Sequence, residues 1–228
     1  MFFFFNSNPY IAIIGDIRKS KKIENRSEIQ KKLKQILEEI NHKYDKEIAS
    51  NFIITLGDEF QGLLCSGINT MNIINEIERK MYPVKIRFGI GAGAITTDVN
   101  KEMSIGADGP GYYKARAAIE FLKENEKKKQ TNTADIRFEA EGDNHTITIM
   151  INTILSLLTA IKDSWSDRQR EIIWDMLQHQ DSQVDVAKRF NIKQPAVQKS
   201  LSKGKYYVYK DSMDIIGQAL SEVRSNDV

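Results

Sequence analysis

The sequence predicts an α+β fold: a ferredoxin-like, palm-type mixed sheet with helices on it, followed by an all-α unit of the helix-turn-helix kind. Three observations carry that prediction. Short β-branched runs alternate with amphipathic stretches over residues 9–150, in the order β-α-β-β-α-β-α-β-β, whose first six elements make the split β-α-β core. A Gly57-Asp58 turn joins two apolar runs as a hairpin. Beyond residue 165 only helical periods remain, so the boundaries are set at 9–150 for the sheet unit, 151–164 for a linking helix and 165–228 for the helical unit.

The first strand covers 9–16 and ends its apolar run, Tyr10 to Gly15, on Asp16. A basic loop, Ile17-Arg18-Lys19-Ser20-Lys21-Lys22, follows. From about Asn25 to Tyr44, Ile29, Leu33, Ile36, Leu37 and Ile40 share one helical face. The hairpin ITLGDEFQGLL comes next, with Gly57, Asp58 and Glu59 between its arms. A second helix runs from about Ile68 to Met81, closed by Pro83.

Residues 84–95, VKIRFGIGAGAI, alternate as a strand whose second face is Gly89, Gly91 and Gly93. Such a face admits either a ligand or the backbone of a packed helix. The turn-rich Gly106 to Gly111 opens a helix over 112–128; the charged run Lys123 to Gln130, lysine-rich near 127–129, reads as a solvated helix end. Residues 135–139 and 145–151 read as two short strands around Gly142-Asp143-Asn144. The apolar helix over 151–161 is too short for a membrane span. Helices follow at 167–179, 183–190, 194–205 and 212–224, the first capped by Ser166 with Gln169.

Composition narrows the function. The net charge is only +2 over 228 residues, so a nucleic-acid surface must be local. A single cysteine, Cys65, rules out an internal disulfide and favours a reducing, cytoplasmic setting. The three histidines, His42, His145 and His179, show no zinc spacing. The opening Met1 to Phe5 lacks the basic start and cleavage site of a signal peptide and is given no function.

Two constellations remain. Asp16 ends one strand and Asp58 sits at the hairpin. On neighbouring strands they would face each other and repel, unless a cation such as Mg²⁺ or Mn²⁺ lay between them. Each also has an ordinary reading, Asp16 as a cap and Asp58 as a turn residue. The second is QVDVAKRFNIKQPAVQKSLS, residues 183–202, with Val186, Ala187, Phe190, Ile192, Val197 and Leu201 inward, Asn191 at the turn and Pro195 in the first turn of the next helix. From Lys188 to Lys210 there are seven Lys or Arg and no acid. Gln194, Gln198, Lys199 and Lys203 would contact DNA, with Tyr206, Tyr207 and Tyr209 interleaved behind. A trihelical bundle that dimerises or binds a protein gives the same pattern.

These residues also carry a resemblance. ITLGDEFQGLL resembles the hairpin of GGDEF diguanylate cyclases, YIAIIGDIRKS the metal strand of class III nucleotidyl cyclases, and VKIRFGIGAGAI with GADGPGYYKARAAI their glycine-bearing strand and Ala-x-Arg helix. Residues 183–202 resemble sigma-factor region 4, and the whole chain, by IGDI and GDEFQG, resembles the SatD family. The resemblance implies that Asp16 and Asp58 bind one or two Mg²⁺ ions holding a nucleoside triphosphate. It implies that the backbone of Ile17, Arg18, Lys19 and Ser20 holds phosphate, that Gly57 belongs to the nucleotide site, and that Arg116 stabilises charge on phosphorus, between two subunits of a homodimer. Arg116 also reads as a plain salt-bridge residue. The chain departs from the cyclase pattern at Tyr112, where those helices carry Asn, at Leu56 in place of the first GGDEF glycine, and in lacking a base-reading Lys and Asp. The expected function is therefore a regulator that couples a nucleotide- and metal-binding domain to DNA binding, without a membrane. The alternative is an active nucleotidyl cyclase or nucleotidyltransferase.

Overall fold

The computed structural model describes residues 2–22, 24–104, 106–128 and 134–225, without the side chain of Lys22. The end of the lysine-rich stretch at 129, the opening Met1 and the last residues, 226–228, lie outside the described residues.

Strands β1 (Tyr10–Ile17), β2 (Ile48–Leu56), β3 (Glu59–Leu64), β4 (Ile86–Gly93) and β5 (Ile136–Ala140) form one sheet in the order β2-β3-β1-β4-β5. The first four pair antiparallel and β5 joins β4 in parallel. Two β-α-β units thus interleave around β1, the split arrangement expected from the element order. Helices α1 (Arg26–Lys43), α2 (Thr70–Met81) and α3 (Pro110–Lys127) are the crossovers. The period-2 alternation of β1 sorts the two faces. Ile11, Ile13 and Ile17 point into the large core with α1 and α2, and Tyr10, Ala12 and Ile14 point to α3 with Ala115 and Ile119.

The glycine face of β4 turns out to be a helix seat. A Cβ on Gly91 would lie 2.1 Å from the Gly111 carbonyl oxygen and 2.3 Å from the Ala115 nitrogen, and one on Gly89 2.4 Å from the Ala115 oxygen. Glycine lets α3 approach the sheet backbone to backbone, and that space is filled.

Four sequence expectations change. Residues 145–151 are not a strand but the start of α4 (His145–Asp163), which also absorbs the linking helix. The alternation of Thr146-Ile147-Thr148-Ile149 mimics a strand, but Thr148, Ile151, Leu155, Leu158 and Lys162 are buried at helical spacing, and that longer period wins. At 19 residues α4 does reach the length and apolarity of a membrane span. Here its Asn152 brackets the Phe138 backbone, donating to the carbonyl and accepting from the amide, both at 2.8 Å. The last helix starts at Tyr206, not 212, which buries Tyr206 and Tyr209 and leaves Tyr207 outside. The N-terminal phenylalanines belong partly to the core: Phe3 is 2% exposed and meets Phe5 and Phe138 at ring separations of 5.9 and 5.6 Å.

Helices α5 (Asp167–His179), α6 (Gln183–Arg189), α7 (Gln194–Lys203) and α8 (Tyr206–Leu220) complete the chain. The capping box at Ser166 and Gln169 forms as the sequence dictates. Asn191 takes φ 49° in the short turn between α6 and α7, and Pro195 sits in the first turn of α7.

Candidate functional site

The hairpin end of the sheet concentrates charge. Asp16 follows Tyr10, Ala12 and Ile14 onto the α3 face of β1, and its register partners are Glu59 on β3 and Arg87 on β4. Asp16 is 5% exposed and Glu59 4%. Buried carboxylates need partners, and both have them. Arg87 donates to Oδ2 of Asp16, and Lys123 of α3 lies 2.8 Å from Oδ1. Arg116, one helical face above, donates to both oxygens of Glu59 at 2.6 and 2.7 Å. That hydrogen bond raises the basicity of Arg116, against the opposite pull of burial.

The acid facing Asp16 is therefore Glu59, not Asp58. The reason is local: Gly57 and Asp58 make the turn, Gly57 at φ 58°, and β3 begins at Glu59, so alternation hands that face to Glu59. Asp58 stays close by through the backbone, its carbonyl accepting the Ile17 amide at 2.9 Å, while its carboxylate accepts the Ser20 hydroxyl. Gly57 is closed in by α1: its carbonyl accepts from Gln30, and a Cβ there would lie 2.9 Å from the Arg26 guanidinium.

The loop after β1 also differs from expectation. The amides of Ile17 and Arg18 both donate within the protein, to Asp58 and to Lys85. Arg18 does not point outward for phosphate; its guanidinium bridges Asp135 at 2.7 Å and Glu126 at 3.1 Å. Lys19, at φ 55°, is exposed, and Ser20 opens a single helical turn. Tyr112, at the position where the cyclase helix carries Asn, packs into the apolar cluster beneath α3 with Ile14 and Leu63. Leu56 ends β2 at 70% exposure.

On α7, Val197 and Leu201 are buried, while Gln194, Gln198, Lys199 and Lys203 are exposed. Gln183 joins Gln194 and Gln198 by hydrogen bonds. Part of the positive stretch is neutralised: Arg189 pairs with Asp175 and Asp181, Lys188 with Asp185 and Lys210 with Asp214. A groove of about 520 Å³ lies elsewhere, between α2 and the helices α5 and α8, lined by Arg79, Trp174 and Met213 among others.

Glu59 is visible in the sequence as the acid next to Asp58, but its partnership with Arg116 is not, and Arg87, Lys123, Glu126 and Asp135 carry no site expectation there. One signal was present: Arg87 shares its strand face with three glycines, an odd place for a charge unless it reaches a partner beyond the helix edge.

Whether these residues suit a divalent ion rests on their donor chemistry. Asp58 offers a half-buried carboxylate beside a hydroxyl. Asp16 has given one oxygen to Arg87, and its other holds Lys123, a flexible ammonium 38% exposed that stands where a cation belongs. Among the described residues no three His, Cys, Asp or Glu side chains converge on one point. A divalent ion at this end would have to take most of its ligands from water and phosphate, and not from a closed protein cage.

The SatD family profile matches residues 10–215. No curated protein matches the chain. Among solved structures, a bacterial light-regulated adenylyl cyclase is similar with a TM-score of 0.41 at 15% identity, over 57% of this chain and 74% of that one. The catalytic core of a rhodopsin-guanylyl cyclase with converted specificity, in complex with ATPαS, gives 0.36 at 14% identity, over 49% and 71%. The guanylate cyclase domain of RhGC from Catenaria anguillulae, in complex with GTP, gives 0.35 at 14%, over 48% and 71%. Scores this low add nothing to what the strand order itself establishes.

Proposed function

We propose that this chain, which belongs to the SatD family, binds a nucleoside triphosphate at the hairpin end of its sheet and performs nucleotidyl chemistry there, as a nucleotidyl cyclase or nucleotidyltransferase. One observation carries the reading: the turn that holds Asp58 is fastened by a 2.9 Å backbone bond to Ile17, the residue after Asp16, at an end of the sheet lined by Arg87, Arg116 and Lys123. Buried ion pairs are weak sources of stability, so a cluster of them at one edge points to a use beyond folding.

In this reading Asp16 and Asp58 hold Mg²⁺ or Mn²⁺, which supplies charge neutralisation for the triphosphate when bound. Arg87 keeps one oxygen of Asp16 fixed and so aims the other. Lys123 moves from Asp16 to phosphate. Exposed Lys19 adds charge at the loop, and Ser20 orients Asp58. Glu59 holds Arg116 in a fixed fork, from which its exposed edge meets the anion, of its own subunit or of the partner in a homodimer. The chain divides into a sheet unit that ends before α4, the joining helix α4 (His145–Asp163) and a helical unit from 165.

Incubation with each of the four nucleoside triphosphates and Mn²⁺, followed by chromatography, tests this. One triphosphate should yield a cyclic or linked nucleotide, and Asp16→Ala and Asp58→Ala should each abolish it. Undiminished turnover in both variants overturns the assignment.

A second reading makes the helical unit the DNA-binding part of a regulator, with Gln194, Gln198, Lys199 and Lys203 as contacts. What favours it is that exposed Lys193, Lys199, Lys203 and Lys205 have no ion-pair partner among the described residues. Duplex affinity should then fall steeply with salt, and Lys199→Ala and Lys203→Ala should weaken it. No duplex binding at low salt excludes it.

A further inference from the structure

A run of ion pairs of strictly alternating sign passes through the interior. Lys123 meets Asp16 at 2.8 Å, and Asp16 meets Arg87. Arg87 holds Glu126, with its Nε at 2.9 Å, and Glu126 meets Arg18 at 3.1 Å. Arg18 meets Asp135 at 2.7 Å, Asp135 meets Lys162 at 3.3 Å, and Lys162 meets Glu78. The run stitches α3, β1, β4, the start of β5, α4 and α2. It is most open at Lys123, 38% exposed, and next at Glu126, 20%; Asp135 and Lys162 are each 5% exposed.

Its far end touches the helical unit. Arg170 of α5 donates to the Lys162 carbonyl at 2.8 Å. The Arg170 guanidinium lies 5.2 to 5.5 Å from the rings of Tyr82, Trp165 and Trp174. The Trp165 indole N–H donates to the Gly204 carbonyl at 2.7 Å, at the joint between α7 and α8.

From this geometry we infer that the ladder couples the charge state of the hairpin end to the packing of the helical unit, so that whatever binds at Asp16 is sensed at the α7–α8 joint. The physical basis is sharing. Arg87, Arg18 and Lys162 each bridge two acids. When one acid gains another cation, the shared cation shifts toward its remaining partner, and the next acid along is left to re-pair. In a buried, low-dielectric setting that imbalance is not absorbed by water. A contiguous salt-bridge network is one of the physical means by which coupling travels between distant sites. Arg18, Glu126 and Asp135 are then positioning residues, acting on the hairpin end only through Arg87.

The protein reports on itself, because its two tryptophans, Trp165 and Trp174, both sit at the far end. The test is tryptophan emission of the full chain, without nucleotide, in Asp16→Asn and in Lys123→Met, with circular dichroism to establish folding. Lys123→Met changes the half-open end and keeps the test alive if Asp16→Asn does not fold. Coupling predicts a shift of a few nanometres in the folded variants, and its loss when Asp135→Asn interrupts the run. An unchanged emission maximum in a folded Lys123→Met, or a shift that persists in the Asp135→Asn background, overturns the proposal. Because no nucleotide is used, this outcome is independent of whether the hairpin end binds one.

Discussion

Removing Arg116 and removing its partner Glu59 should have unequal costs, and the inequality follows from exposure. The Glu59 side chain is 6% exposed and that of Arg116 is 39%. Arg116→Met strands a buried carboxylate, a loss of about 3–5 kcal/mol for a fully enclosed pair. Here one side of the pair is open to water, which lowers the figure to about 2 kcal/mol. For a chain of this length that is a fall of roughly 4–8 °C in Tm. Glu59→Gln leaves a half-exposed guanidinium that water can solvate, so about 1 kcal/mol is expected. The double variant should lose less than the two singles together, with a coupling near 1 kcal/mol. Urea unfolding of the four proteins measures all three quantities. Arg116→Met within about 0.5 kcal/mol of the parent, with no coupling, would falsify the reasoning, since it would mean that the bidentate pair does not hold Arg116 in solution.

Three further outcomes are expected. Gly91→Ala should destabilise by about 3 kcal/mol because its methyl meets α3 backbone, whereas Gly217→Ala, with nothing within 4 Å in α8, should gain about 0.5–1 kcal/mol; the urea midpoints separate the two. Phe3→Ala should cost about 3 kcal/mol by leaving a cavity against Phe138, and an unchanged Tm would show that the N-terminal segment is not docked. Burial pushes the Glu126 carboxyl up, but Arg87 and Arg18 outweigh it and hold it below the ordinary carboxylate range. Its contribution is thus present above the unfolded pKa of about 4.3 and lost as pH falls through the lower folded value, so Glu126→Gln should be less stable than the parent at pH 7, by a margin that shrinks as pH is lowered past about 4.3.

The elements whose residues repeat cleanly could be read from the sequence. Ile29 to Ile40, Ile73 to Ile77 and the alternation of Val84 to Ile90 declare a helix, a helix and a strand, and their succession points to the split β-α-β class. Residues 145–151 misled because Thr and Ile at alternate positions satisfy both periods, and only the longer stretch to Lys162 decides. The site was half readable. A carboxylate ending a strand and another in a Gly-Asp turn are visible in one dimension. Which acid shares a face with Asp16 depends on where β3 begins, a difference of one residue that exchanges Asp58 for Glu59. Arg18 and Lys123 looked like phosphate-seeking and solvated charges because the carboxylates that hold them lie about a hundred residues away in the chain.

The most direct measurement of the central claim is thermal unfolding of the parent and of Asp58→Ala with Mn²⁺ and each nucleoside triphosphate in turn. A ligand at a hundred times its Kd stabilises the native state by about 2.7 kcal/mol, or roughly 5–11 °C for a chain of this size. A nucleotide site at the hairpin end predicts such a rise for one triphosphate and its loss in Asp58→Ala. No rise with any of the four, or the same rise in both proteins, contradicts it.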